Sequence, residues 1–384
     1  MSKLGYFVQV VSCAVTVNFL NYRMRIVHFH PDKFASERFV VPLVRRELEL
    51  GHRSSLFTDA PASERKSFRT KLNLVNILFF PVTLIRLILM LKRERADVVF
   101  AHNTTGALIP LFASKLSGVN ERIYFNHGVP SLGQGFPVSS VLKFLELVNI
   151  FFATKVITVS TDMVGALKEI SSRVSPQLIS SGSAAGIDRN IFTPNIVYKS
   201  SWRSQHGFES SDILFCFVGR PERRKGFHFI VELWCKKFHG VSPPLILIGP
   251  VESDLKRVVK VVPANIHCLG YVKDIENILP AMDVLLLPSL HEGLPYSILE
   301  AQACGLTVVS NDIQGVRNLI TDGANGFLIE TQNEEKYVER IKLLADDMQL
   351  IRKIGKKGRD SVGTFCREEF FKHYQAFLTT LIKG

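Results

Sequence analysis

Two stretches in the second half of the chain hold charged residues at spacings suited to phosphate and sugar chemistry. The first, GRPERRKG, runs from Gly219 to Gly226 directly after the apolar run ILFCFVG. Gly219 permits a sharp turn that brings backbone N–H groups close to a ligand. Arg220 and Lys225 then stand as two cations near the start of the next helix, whose N-terminus itself favours anions. A diphosphate fits that arrangement; so does a basic surface turn, with Arg223 and Arg224 merely solvated. It is not a P-loop, because the GxxxxGK[ST] spacing is absent. The second stretch is HEGLPYSILEAQACG, His291 to Gly305, after DVLLLPS. Glu292 and Glu300 are eight positions apart, about two helical turns, so they can face the same side of a helix or the loop leading into it. Glu300 can accept hydrogen bonds from ribose hydroxyls while Glu292 approaches a sugar at the helix start. Gly293, Leu294 and Pro295 form a tight loop whose N–H groups can hold a phosphate. The plainer alternative is that both glutamates are ordinary exposed helix residues.

Such residues need rigid elements behind them. After Met24 the chain alternates short apolar runs with longer helical patterns, the signature of parallel sheets covered by helices. Strands are predicted at 25–30, 53–59, 97–103, 122–128 and 155–160, then at 213–219, 245–249, 266–270, 283–289 and 307–312. Two α/β units of similar size follow, with a joint near 185–200 where SGSAAGIDRNIFTP breaks the periodicity. Ligands in such sheets bind at the carboxyl ends of the strands. The unusual residues fall there: His28, His30, His102, His127, Ser160, Arg220 and the loop after Ser289.

The totals agree with two domains. The chain has 384 residues, more than one ordinary core, with 46% hydrophobic and 21% charged residues. Its six cysteines form no CxxC pair, which points away from zinc or a disulfide framework and towards a reducing compartment. The formal charge of +12 is uneven: residues 1–190 hold 23 Lys+Arg against 13 Asp+Glu, and the remainder 24 against 22. A basic half attracts anionic partners such as phospholipid, a pyrophosphate-linked lipid or nucleic acid. Nucleic acid is disfavoured, because no aromatic RNA-binding signature, zinc finger or recognition helix is present. Residues 5–20 are apolar with a basic residue ahead of them, the pattern of a signal sequence or short anchor, but short for a spanning helix of ~20 residues. MRIVHFH from Met24 reads as the natural first strand, so 1–23 is expected to be an extension, with a signal or anchor as the alternative. In 66–95, Pro81 and Arg86 interrupt an apolar run bracketed by Lys66, Arg69 and Lys71 and by Lys92, Arg93 and Arg95. That pattern suits an interfacial amphipathic segment, or alternatively a helix packed on the first sheet.

The two motifs, in this order and separation, resemble the family 4 retaining glycosyltransferases of the GT-B fold. Arg220 with Lys225 matches their GR(x)4KG loop, and Glu292 with Glu300 their Glu-x7-Glu element. GIDRNIF (186–192), LGYVKD (269–274) and NDIQGVRNLITDGANGFLI (311–329) are similar too; the first half resembles the family mostly by layout. The resemblance implies an acceptor-binding Rossmann-like domain at 24–190 and a nucleotide-sugar-binding one at 191–364. It also implies a helix at 365–384 packing back on the first domain. Arg220 and Lys225 would neutralise the leaving diphosphate. Gly219 would turn the loop, and backbone from Gly293 through Leu294 and Pro295 to Tyr296 would hold phosphate and sugar. Glu300 would take the ribose, Glu292 the transferred sugar, Tyr271 and Val272 the base, and His127 in FNHG would lie near the donor sugar.

The first strand runs into HFHPDKF without the family's Gly-Gly turn, so His28 or His30 is expected to share in meeting the donor. No DxD motif occurs, and with two cations on the diphosphate no metal or other cofactor is expected. The implied activity is a metal-independent, retaining transfer of a hexose or N-acetylhexosamine from a UDP or GDP donor, by front-face attack. The expected acceptor is a lipid-linked glycan in cell-surface polysaccharide assembly (O-antigen, lipopolysaccharide or capsule). The enzyme is expected in the cytoplasm, peripherally bound to the anionic inner face of the membrane. A nucleotide-sugar epimerase of the same fold, or a basic-surface binding protein, is the alternative.

Overall fold

Short aliphatic runs become strands here because a parallel sheet covered by helices hides both of its faces from water. The structure is a computed structural model that describes residues 23–58, 80–238 and 243–382. One sheet contains β1 (Arg25–His30), β2 (Arg53–Thr58), β3 (Val98–His102), β4 (Glu121–Asn126), β5 (Lys155–Thr158) and β6 (Gln177–Leu178). Its strands pair in parallel in the order β2-β1-β3-β4-β5-β6. Between and around them lie α1 (Lys33–Phe39), α2 (Val41–Glu49), α3 (Phe80–Glu94), α4 (Thr104–Leu116), α5 (Val138–Phe152) and α6 (Thr161–Ile170).

The second sheet contains β7 (Phe215–Val218), β8 (Leu245–Ile248), β9 (Ile266–Gly270), β10 (Val284–Leu287), β11 (Thr307–Asn311) and β12 (Phe327–Ile329), again parallel, in the order β12-β11-β10-β7-β8-β9. With it come α7 (Ile196–Gln205), α8 (Phe227–Lys237), α9 (Glu252–Leu255), α10 (Tyr296–Ala303), α11 (Glu334–Asp346) and α12 (Met348–Ser361); α13 (Arg367–Ile382) closes the chain. In each sheet the chain winds one way and then the other. The direction reverses between β1 and β3 in the first sheet and between β7 and β10 in the second. Crevices outside the carboxyl ends at such switch points are where open α/β sheets bind ligands.

The predicted strands are all present. β6 and β12 were not predicted; with two and three residues they are too short to show a period. The expected extension at 1–23 lies almost wholly outside the described residues, as do Lys66, Arg69 and Lys71. The later part of 66–95 forms α3, which buries Leu87 and Leu91 against Val27, Phe29 and Val99, with Thr83 also buried. Its other side leaves Val82, Ile85 and Leu89 exposed. Among the described residues, no helix is long and apolar enough to cross a membrane.

A single apolar cluster continues from the first sheet through the inter-domain contact into the second, and takes in Phe370, Tyr374, Phe377 and Leu378 of α13. Helix α13 therefore packs on the first domain: Tyr374 hydrogen-bonds Glu47, and its ring lies 6.2 Å from that of Phe100.

Candidate active site

At the second switch point the turn after β7 meets the loop after β10. Gly226 has φ +78°, a left-handed conformation that favours glycine, and a Cβ there would run into the Pro288 carbonyl. That close approach carries Lys225 to Glu292: Lys225 Nζ donates to Glu292 Oε1 at 2.7 Å, with side chains 20% and 8% exposed. Burial pushes the Glu292 carboxyl up, but Lys225, Arg224 and a hydrogen bond from Ser289 outweigh it and hold the group below its usual range. Arg224 is not merely solvated: it donates from Nη1 to the His291 carbonyl at 3.0 Å and ties the two loops together.

Arg220 is not brought to this pair. Its guanidinium is 71% exposed and pairs with Glu222 at 3.0 Å. Gly219 sits above Phe217 at the end of β7. Tyr271 is exposed on the loop after β9, with its ring 6.5 Å from that of Phe34, and Val272 beside it is half-buried.

Glu292 precedes helix α10, whereas Glu300 lies within it and is 1% exposed. No properly oriented hydrogen bond reaches either Glu300 oxygen, although the Arg38 guanidinium, from the end of α1, stands against it. The Arg38 guanidinium is thus the charge partner of this buried carboxylate. Arg38 was not singled out from sequence, since a lone arginine in an amphipathic helix carries no signal.

The loop between these glutamates touches the first domain. A Cβ on Gly293 would strike the His127 carbonyl and Gly128, so only glycine permits this approach. Ser160, which caps α6, donates from Oγ to the Gly293 carbonyl at 2.9 Å. Asp162 accepts from Gly315 N at 2.7 Å and from Asn318 Nδ2 at 2.6 Å. Leu294 and Pro295 are buried behind the loop. The Tyr296 side chain is taken up by the inter-domain link: its hydroxyl accepts from Ala184 N and Ala185 N at 3.1 and 2.9 Å and meets Ser183 Oγ at 2.5 Å. Burial raises its pKa. It is a clasp on the inter-domain link.

His127 faces this loop across the cleft. Burial, with His30 nearby, lowers its pKa to about 3, so the ring is neutral at pH 7. Neither His28 nor His30 has a ring nitrogen to offer a donor. His28 lies between Glu47 and His102, and His30 is engaged by the Asp32 backbone and by Asn103. The expectation that one of them meets the donor is corrected accordingly. Among the described residues, no three His, Cys, Asp or Glu side chains converge to hold a metal ion.

Comparison with known proteins follows the same lines. Residues 199–361 match the family described as Glycosyl transferases group 1. The chain is 29% identical over 280 residues to the Escherichia coli UDP-Gal:alpha-D-GlcNAc-diphosphoundecaprenol alpha-1,3-galactosyltransferase, covering 70% of this chain and 71% of that one. It is 22% identical to the capsular polysaccharide biosynthesis glycosyltransferase CapM of Staphylococcus aureus, over 89% of this chain and 95% of the other. Among solved structures, sucrose-phosphate synthase from Thermosynechococcus elongatus superposes with a TM-score of 0.79 at 16% identity, covering 94% of this chain and all of that one. The second domain thus belongs to the glycosyl transferases group 1 family, and the chain as a whole is a glycosyltransferase of the GT-B fold.

Proposed function

We propose that the chain transfers a hexose or N-acetylhexosamine, with retention of configuration and without a metal ion, from a UDP- or GDP-sugar to a lipid-linked glycan in cell-surface polysaccharide assembly. The observation that carries the donor site is the Lys225–Glu292 pair beside Gly293, opposite His127. The named activity of the Escherichia coli relative, a UDP-Gal donor with a diphosphoundecaprenol-linked acceptor, supports the same substrate classes here.

In this reading Lys225 neutralises charge that builds on the diphosphate as the glycosidic bond breaks. Arg220, exposed at the turn, swings in from Glu222 when an anion arrives. Glu292 holds a hydroxyl of the transferred sugar and Glu300 the ribose, while Tyr271 and Val272 border the base. The acceptor hydroxyl enters from the first domain on the face that the diphosphate leaves, and a diphosphate oxygen takes its proton. Positioning two substrates and stabilising the leaving charge supply most of the barrier reduction, about 3 kcal/mol for each well-placed donor.

Peripheral binding to the inner membrane face is supported by the outer side of the first domain. On α5, Val141, Phe144, Leu147 and Phe151 are exposed, with Phe136 just before it. Lys143 lies on the same helix and Lys115 over the Phe151 ring, while the acid of α5, Glu146, is buried. Apolar rings flanked by cations suit a surface of anionic lipids.

Transfer is tested with UDP- and GDP-sugars and a diphosphopolyprenol-linked acceptor in the presence of chelator, reading the anomeric configuration of the product by NMR. An inverted linkage, or turnover that requires a divalent metal, would overturn that part of the reading.

A further inference from the structure

Four histidines gather on one face of the first sheet, and three of them form a line that ends on a carboxylate. The period-two alternation of strands makes this inevitable. His28 is in register with Phe100, and His102 with Phe125, so residues 28, 100, 102, 125 and 127 lie side by side. His28 stacks on Phe100 at 4.7 Å and His127 on Phe125 at 4.9 Å, which fixes the ring planes. Glu47 of α2, fully buried, sits 3.0 Å from His28 Nε2. His28 Nδ1 is 3.1 Å from His102 Nε2, and His102 Nδ1 is 2.9 Å from His127 Nε2.

We propose that Glu47, His28 and His102 are positioning residues that hold the His127 proton on Nε2, so that a bare Nδ1 faces the cleft as an acceptor for a sugar hydroxyl. A neutral imidazole carries one N–H and one lone pair, so rings in a line must all point the same way, and the end group sets the direction. Here that end only accepts. Ser54 Oγ donates to Glu47 at 2.5 Å and the Tyr374 hydroxyl donates to it from α13, which leaves His28 Nε2–H as the third donor. His28 Nδ1 then accepts a hydrogen bond from His102 Nε2–H, and His102 Nδ1 accepts one from His127 Nε2–H. Burial, together with the neighbouring rings, keeps His102 well below its usual pKa and therefore neutral. His30 does not compete, because both its nitrogens are engaged elsewhere. His127 alone in the line is half-buried, and it sits where its own carbonyl abuts Gly293. The tautomer follows from the first domain and from α13 packed on it; its role in transfer rests on the donor reading given above.

The experiment is long-range 1H–15N correlation of the histidine rings in the labelled full chain, with His127 assigned by its loss in His127→Gln. The expected result is a single Nε2–H tautomer for His127 between pH 6 and 8. An Nδ1–H ring, or an average of the two forms, would overturn the proposal without any variant being needed. Glu47→Leu removes the acceptor and should release the tautomer and lower kcat about tenfold or more, with donor KM little changed. Glu47→Gln keeps a carbonyl acceptor and should retain both. A released tautomer with unchanged kcat would refute the role in transfer. A wild type that holds the Nε2–H ring yet transfers no sugar would instead contradict the functional reading and leave the line of histidines standing.

Discussion

Lys225, half-buried, is the charge partner of buried Glu292, and such a pair is costly to break from the lysine side because the carboxylate is left in low dielectric. Lys225→Met should therefore lower both stability and transfer, the latter by about 10²-fold or more. Adding Glu292→Gln should restore much of the melting temperature but none of the activity, which calorimetry and a transfer assay can separate. Glu146 makes a second residue-scale prediction. It is buried on α5, accepts from Thr104 Oγ1, the Tyr124 hydroxyl and Asn126 Nδ2, and burial raises its pKa from 4.5 to about 7. Asn126 in turn accepts from Gly128 N at 2.9 Å and so shapes the turn that carries His127. A folded pKa above the unfolded one means that the native state binds more protons between those values, so stability falls as pH rises from about 4.5 to 7. The shift corresponds to roughly 3 kcal/mol. Glu146→Gln should flatten that slope in urea melts; an unchanged slope would place the ionisation elsewhere.

At the scale of elements, two loops approach through glycines, and the clearest case is Gly293. Gly293→Ala must push the loop after β10 away from His127, so it should cut transfer while each sheet stays folded by circular dichroism. The exposed side of α5 gives a separate test. Each large ring leaving water contributes roughly 1.5–3 kcal/mol. Phe144→Ser with Phe151→Ser should therefore reduce co-sedimentation with phosphatidylglycerol vesicles at least tenfold and leave turnover on a soluble acceptor unchanged. Much of this level was legible in the sequence. The aliphatic runs marked the predicted strands, and the turns after β7 and β10 stood out by composition. Strands β6 and β12 did not, because two or three residues carry no period. Arg38 and Glu47 were also hidden, since only the folded chain shows that α1 and α2 end against the cleft and the first sheet. The histidines at strand ends were visible one by one. Their common face follows from register, which the sequence does not state.

In the whole molecule the cleft is bounded by parts far apart in the chain. Tyr296 clasps the link at 183–185, and α13 returns from the second domain to donate Tyr374 to Glu47. Tyr296→Phe removes the acceptor of two backbone N–H groups, on buried Ala184 and Ala185, at a cost of about 1–3 kcal/mol. Urea unfolding should show that loss. The measurement that bears most directly on the central claim is thermal shift of the purified full chain against UDP, GDP and ADP, with chelator present. The account predicts that UDP or GDP stabilises the wild type and that the shift disappears in Lys225→Met. No shift with any of the three, in protein shown to be folded, would contradict it, as would a shift that survives the loss of Lys225.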